Sequence, residues 1–132
     1  MCPSAQPDME GSRVLGVVGG PPHAPEIAYL NQPLPVSREI LALTGEIEPT
    51  QLLRFAAPCQ ENKCCHFDGT KCSLVTRIVR ILPAVADALP ACLIRPGCRW
   101  YEQEGSAACI RCPQIVTRVI DPDERTRLVS GG

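Results

Sequence analysis

Large aromatic side chains are scarce in this chain: among 132 residues there are two Phe, two Tyr and one Trp. A core must therefore be assembled from Val, Ile, Leu and Ala. Below about 70–80 ordered residues such a core rarely supplies more than roughly 3–5 kcal/mol, so a cysteine-rich region folding alone is expected to need a staple. An excess of either charge is also missing. Thirteen basic and fourteen acidic residues give a net charge of −1, with no block of five or six like charges, which excludes the electrostatic footprint of a nucleic-acid binder. No apolar run approaches the roughly 20 residues of a membrane span, so no membrane partner is expected. The opening "MCPSAQPDMEGSRV" has neither the basic nor the apolar region of a secretory signal. These absences predict a cytoplasmic chain, in which disulfides are rare, and the length predicts one domain with tails.

Catalytic signatures are absent too. There is no G-x-S-x-G, P-loop or G-x-G-x-x-G, and the "GVVGG" stretch runs into two prolines that prevent it from opening a phosphate-binding helix. Glu102 and Glu104, two apart, do not face each other on a helix, and the Asp-Gly pair of "FDGT" marks a turn. Catalysis by side chains alone is unsupported.

What the chain does have is cysteine, nine in all. Eight fall in two groups, C-x4-C-C-x6-C (Cys59, Cys64, Cys65, Cys72) and C-x5-C-x10-C-x2-C (Cys92, Cys98, Cys109, Cys112), with Cys2 left over. All eight are candidate metal ligands, and His66, beside Cys65, is a possible alternative ligand. Zinc modules usually bring together two close Cys pairs, whereas here only Cys109 and Cys112 make one. Adjacent Cys64 and Cys65 suit a single ion poorly because successive side chains diverge. Iron–sulfur clusters tolerate irregular spacing, since the thiolates bind different irons.

The stretch "CIRCPQIV" resembles the close of bacterial ferredoxin motifs, where a ligand cysteine is followed by proline; C-x2-C-P is present, and the full C-x2-C-x2-C-x3-C-P run is not. The resemblance implies the ligand class of bacterial iron–sulfur proteins and not their fold. One or two clusters, 4Fe-4S preferred, are expected, with zinc as the alternative. Arg99 and Trp100, beside Cys98, are candidate cluster surroundings, with Tyr101 a further cover or a docking surface.

Residues 1–36 carry seven of the fourteen prolines and predict an extended, polyproline-like arm. Residues 37–120 form the expected metal-binding domain. Within it, Ser37 caps a short helix closed by Gly45, and "EPTQLLRFAAP" predicts a second helix starting near Pro49. Leu74, Val75, Ile78, Ile81, Leu82, Val85 and Leu89 recur at helical spacing after a possible Ser73 cap, with a kink or a junction at Pro83; a strand is the alternative for "SLVTRIVRIL". Ser106 caps another short helix, "QIVTRVI" is a strand or helix end, His23 is solvated, and residues 121–132 are a polar tail.

The fold class expected is mainly α, a small metal-stapled domain behind a proline-rich arm. The function expected is electron transfer or redox sensing through one or two clusters, with a protein redox partner. A zinc-stapled interaction module and a cluster enzyme with an open iron site are the alternatives.

Overall fold

Four strands, β1 (Cys2–Ala5), β2 (Arg13–Gly19), β3 (Glu26–Pro35) and β4 (Leu53–Ala57), make one antiparallel sheet in the order β1-β4-β2-β3. The computed structural model describes residues 1–21, 24–117 and 124–131. The sheet corrects the mainly α expectation: the protein is mixed, and the segment expected as an arm supplies three of the four strands.

The prolines explain the difference. Pro3 lies in β1, and Pro33 and Pro35 lie in β3. These are the two edges, where a missing N–H leaves no ladder bond unmade. The inner strands, "RVLGVVG" and "LRFAA", contain no proline. A proline-rich composition thus marks edge strands here rather than free polyproline.

The helix expected from Pro49 onward makes a single turn, α2 (Pro49–Leu52), before β4 begins. Along β4 the side chains alternate. Leu53, Phe55 and Ala57 join Ala5 and Val14 on one face, which is covered by Ile40 and Leu41 of α1 (Arg38–Ala42). Ala56 joins Leu15 and Ile94 on the other. Ser37 caps α1 as expected, its Oγ accepting from the Ile40 amide at 3.2 Å, and Gly45 follows at φ +60°.

A bulge in β2 shifts the register with both neighbours between Val14 and Gly16 and buries Leu15. A Cβ on Gly16 would lie 2.6 Å from the Ala28 carbonyl oxygen and 2.8 Å from Ile27 Cγ1, so only glycine lets β3 approach here.

The second face of the sheet carries a layer of short helices: α3 (Ser73–Ile81), α4 (Arg99–Glu104), α5 (Ser106–Cys109) and α6 (Glu124–Ser130). Val75, Ile78, Trp100, Ala108 and Val129 form its core with Cys72, Cys98 and Cys112. The stripe of α3 therefore turns inward as its spacing predicts. Cys72, one residue before the expected Ser73, is its N-cap. Pro83 ends the helix instead of kinking it, and Val85 and Leu89 are exposed beyond it. Gly105, at φ +66°, is the N-cap of α5 in place of Ser106. The tail expected to be loose contains α6, tied to α3 where Arg77 Nε donates to the Val129 carbonyl at 2.6 Å. His23 and residues 118–120 of "QIVTRVI" lie outside the described residues.

Candidate metal centre

Cys92, Cys98, Cys109 and Cys112 line one pocket, together with Pro3, Tyr29, Arg95, Trp100 and Tyr101. Each thiol arrives on a different short element. Cys92 precedes the 3-10 turn Arg95–Gly97; Cys98 is the N-cap of α4; Cys109 ends α5; and Cys112 opens the 3-10 turn Cys112–Gln114. The last two elements supply the C-x2-C pair. Arg111 fixes this stretch by donating to the Leu82 and Ala107 carbonyls, both at 2.8 Å, and Gln114 by donating to the Pro83 carbonyl at 2.7 Å.

Arg54 enters from the sheet side. On β4 it alternates away from Phe55, which leaves its guanidinium under the pocket at 1% exposure. Nε donates to the Pro3 carbonyl at 2.6 Å; Nη1 donates to the carbonyls of Cys112 at 2.7 Å and Ile115 at 3.1 Å; Nη2 donates to the Cys112 sulfur at 3.1 Å. The guanidinium carbon also stands 5.7 Å from the Trp100 ring centroid. A fully buried cation needs an anion. Arg54 meets no carboxylate among the described residues, and the acidic group that it touches is the Cys112 thiol.

Two further groups face the same sulfurs. The Tyr29 hydroxyl is directed at Cys112; burial, then the Cys112 charge and its hydrogen bond, hold the phenol proton far above its usual range. Arg95 faces Cys109. Burial opposes its charge, but the hydrogen bond and charge of Cys109, with Cys92 and Tyr101, outweigh that and raise its pKa. Arg95 also donates to the Pro90 carbonyl and lies over the Tyr101 ring.

Two of the thiols, Cys92 and Cys98, are pushed toward the protonated form. Burial raises Cys98, the amides of Tyr101 and Trp100 partly oppose it, and Cys112 and Cys92 raise it again. Burial likewise raises Cys92, against the Ile94 amide. A bound cation reverses this balance, since thiol ligands give up protons as they bind.

Among the described residues no three His, Cys, Asp or Glu side chains converge as a single-ion site. The fit of a sulfur-ligated group is judged on the donors. Four thiols are the soft donor set that iron–sulfur clusters and zinc select. Trp100 lines the pocket at 2% exposure, and its Nε1–H is buried without a hydrogen-bond partner in the described structure. Arg54 donates to the Cys112 sulfur, and Arg95 and Tyr29 line the same pocket as Trp100, so the donor set fits an anionic cluster.

The first cysteine group is assembled by a hairpin. Phe67 pairs with Cys72 in an isolated antiparallel bridge, the Phe67 amide donates to the Cys64 carbonyl at 3.2 Å, and Asp68 Oδ1 accepts from the amides of Thr70 and Lys71 at 2.9 and 2.7 Å. "FDGT" is thus the expected turn, and the amides of Lys71 and Thr70 hold the Asp68 carboxyl below its usual range. Gln103 of α4 clasps the Cys72 backbone, accepting from its amide and donating to its carbonyl, both at 2.9 Å.

Cys65 is exposed, whereas Cys64 and Cys59 are half-buried and Cys72 is buried. His66 is held by Arg77, whose Nη2 lies 3.1 Å from His66 Nδ1. Burial, and then Arg77, lower its pKa. A ring that accepts at Nδ1 carries its proton on Nε2 and offers no lone pair to a metal. Arg99 pairs with Glu61 and lies over the Phe67 ring at 5.3 Å, so it borders the first group although it follows Cys98 in sequence.

Comparison with protein-family models, curated proteins and solved structures returns no match. The site must be read from its own chemistry. Tyr29, Arg54 and Arg95 are the participants that the sequence reading passes over. The one local signal was Arg54, a lone charge inside the apolar run "LLRFAAP".

Proposed function

We propose that the chain is an iron–sulfur protein in which Cys92, Cys98, Cys109 and Cys112 hold a cluster, 4Fe-4S by preference, for electron transfer or redox sensing. The observation that carries this reading is the contact of buried Arg54 with the Cys112 sulfur at 3.1 Å. A guanidinium that meets no carboxylate among the described residues, aimed at one of four thiols around a pocket, suits a site that becomes anionic when loaded. A bound cluster takes up and releases single electrons, and hydrogen bonds to its sulfurs and its burial set the potential. The protein's share of that work falls to Arg54, Arg95 and Tyr29 as donors and to Trp100 as the wall that excludes water. Tyr101, half-exposed at the rim with exposed Leu93 nearby in the chain, is where a protein redox partner would approach. A reducing compartment, the cytoplasm, suits nine free thiols. No described helix is long and apolar enough to cross a membrane.

The test is anaerobic purification followed by the visible spectrum and assays for iron and acid-labile sulfide. A brown protein that bleaches on oxidation is expected, with iron and sulfide in equal amounts. A colourless protein carrying stoichiometric zinc overturns the reading.

A further inference from the structure

We propose that Cys2 completes a second four-thiol site with Cys59, Cys64 and Cys72, that this site takes a second iron–sulfur cluster, and that Cys65 belongs to neither. The inference rests on the reading that this chain's thiols hold clusters, but it concerns a different set of ligands.

Two local structures bring the four thiols to one corner of the fold. In the sheet, Cys2 stands opposite Ala57 at the end of β4, so the chain that leaves β4 reaches Cys59, two residues on, beside Cys2. In the hairpin, the Phe67–Cys72 bridge and the Phe67–Cys64 hydrogen bond bring Cys64 back to the start of α3. Cys72 joins the two halves. The Gln103 side chain of α4 holds the Cys72 backbone, and the Arg99 amide of the same helix holds the Met1 carbonyl beside Cys2.

The adjacent pair sorts itself as neighbouring side chains must: Cys64 is half-buried and Cys65 points to solvent. The second site also shares its cation with the first. Arg54, which donates to Cys112, also donates through Nε to the carbonyl of Pro3, the residue after Cys2. The backbone links the two groups as well, since the Arg99 amide donates to the Met1 carbonyl at 2.9 Å. That bond sets Cys2 and Cys98 each one residue from it. Two clusters held by these cysteines would be joined by a short route for electrons through this contact.

Ligation at the second site requires each thiol to release its proton to solvent as its sulfur bonds iron, with ferrous and ferric iron in equal amounts and sulfide supplied from outside, so that no further oxidant is needed. The experiment is anaerobic reconstitution of the full chain with equal amounts of ferrous and ferric salt and with sulfide, counting iron and labile sulfide per chain. Two clusters' worth is expected for the unmodified protein. Cys2→Ser, Cys59→Ser and Cys64→Ser should each lose about half of the iron, and Cys65→Ser should lose none. The half retained in each variant reports that the fold survives, and Cys109→Ser should lose the complementary half.

The proposal fails if Cys65→Ser loses iron while Cys2→Ser keeps it all. It also fails if the unmodified chain binds one cluster that Cys109→Ser abolishes and Cys2→Ser leaves intact, a result under which the first site still stands. Loss of all iron from Cys2→Ser, Cys59→Ser and Cys64→Ser alike means a single centre and overturns it too. A chain that takes up no iron and sulfide at all overturns the first site along with the second.

Discussion

Arg54 on β4 and Cys112, 58 residues later, meet at 3.1 Å through Nη2 and Sγ, and the same guanidinium closes onto the Cys112 carbonyl at 2.7 Å. One side chain thereby joins the sheet to the cysteine layer and places a fixed positive charge against a candidate ligand. Removing it should be felt twice. In Arg54→Met the carbonyls of Pro3, Cys112 and Ile115 lose their donor, and breaking a buried charged contact from one side costs about 3–5 kcal/mol. The urea midpoint should fall accordingly. Arg54→Lys keeps the charge but not the planar fork; it should fold with a smaller loss. In the iron-loaded protein, removing the positive charge should lower the reduction potential, which a redox titration reads; an unchanged potential would show that Arg54 is purely structural.

Cys2 gives a pH dependence with a definite sign. Burial, opposed mainly by the Ser4 amide, pushes its pKa from 9.0 up to about 11. The unfolded chain loses this proton near pH 9 and the folded chain holds it to about pH 11. Between those values the unfolded state binds fewer protons, so stability falls as pH rises. The stabilisation is fully present below pH 9, and up to about 3 kcal/mol is lost across the window. Urea midpoints of the metal-free protein at pH 8 to 11 should fall on this course, and Cys2→Ala should flatten it. Cys72, Cys92 and Cys98 are raised in the same direction, so some slope should remain.

Local signals were legible where one residue type meets one geometric need. Ser37 at the start of α1, the Asp-Gly turn at Asp68 and the inward stripe of Val75 and Ile78 all rest on contacts within a turn or two of chain. The strands were missed because proline restricts backbone in the same way in polyproline and at a sheet edge, and only pairing distinguishes the two. β4 was missed because Leu52, Leu53 and Phe55 satisfy helical spacing and strand alternation alike over so short a run. The cysteine inventory was visible, but its grouping was not. In the proposed second site, Cys2 reaches the first group through strand pairing, and Cys65 is left out because it follows Cys64 directly. Arg54 finds its purpose across 58 residues, which no local pattern encodes.

Gly16 tests whether the bulge positions Tyr29. The two residues are register partners, and a Cβ at position 16 would meet backbone at 2.6 Å, below any normal contact. Gly16→Ala should therefore push β3 away from β2, at a cost of about 1–3 kcal/mol typical of overpacking. Tyr29 moves with β3, so the hydroxyl directed at Cys112 should be withdrawn. In the iron-loaded protein the cluster's visible spectrum or potential should shift in Gly16→Ala in the direction seen for Tyr29→Phe. A stability loss with no such shift would separate the bulge from the site.

Gln103 tests whether the two cysteine layers are held as one. Its side chain satisfies both backbone groups of Cys72 and also donates to Thr76 Oγ1 at 3.1 Å, so α4, which Cys98 caps, grips the residue that caps α3. Gln103→Met keeps the length of the side chain and removes every one of these bonds. The Cys72 amide and carbonyl are then left to water or unpaired, and a loss of about 1–3 kcal/mol is expected. Because Cys72 is placed by this clasp and Cys98 is not, iron release to a chelator should speed up at the Cys72 site first. Release traces should become biphasic, with a fast half and a slow half. Gln103→Glu retains the acceptor for the Cys72 amide but presents a carboxylate to its carbonyl, and should lie at least as far from the unmodified protein at neutral pH. If release from both variants matches that of the unmodified chain, the geometry of Cys72 is set by the hairpin at Phe67 alone.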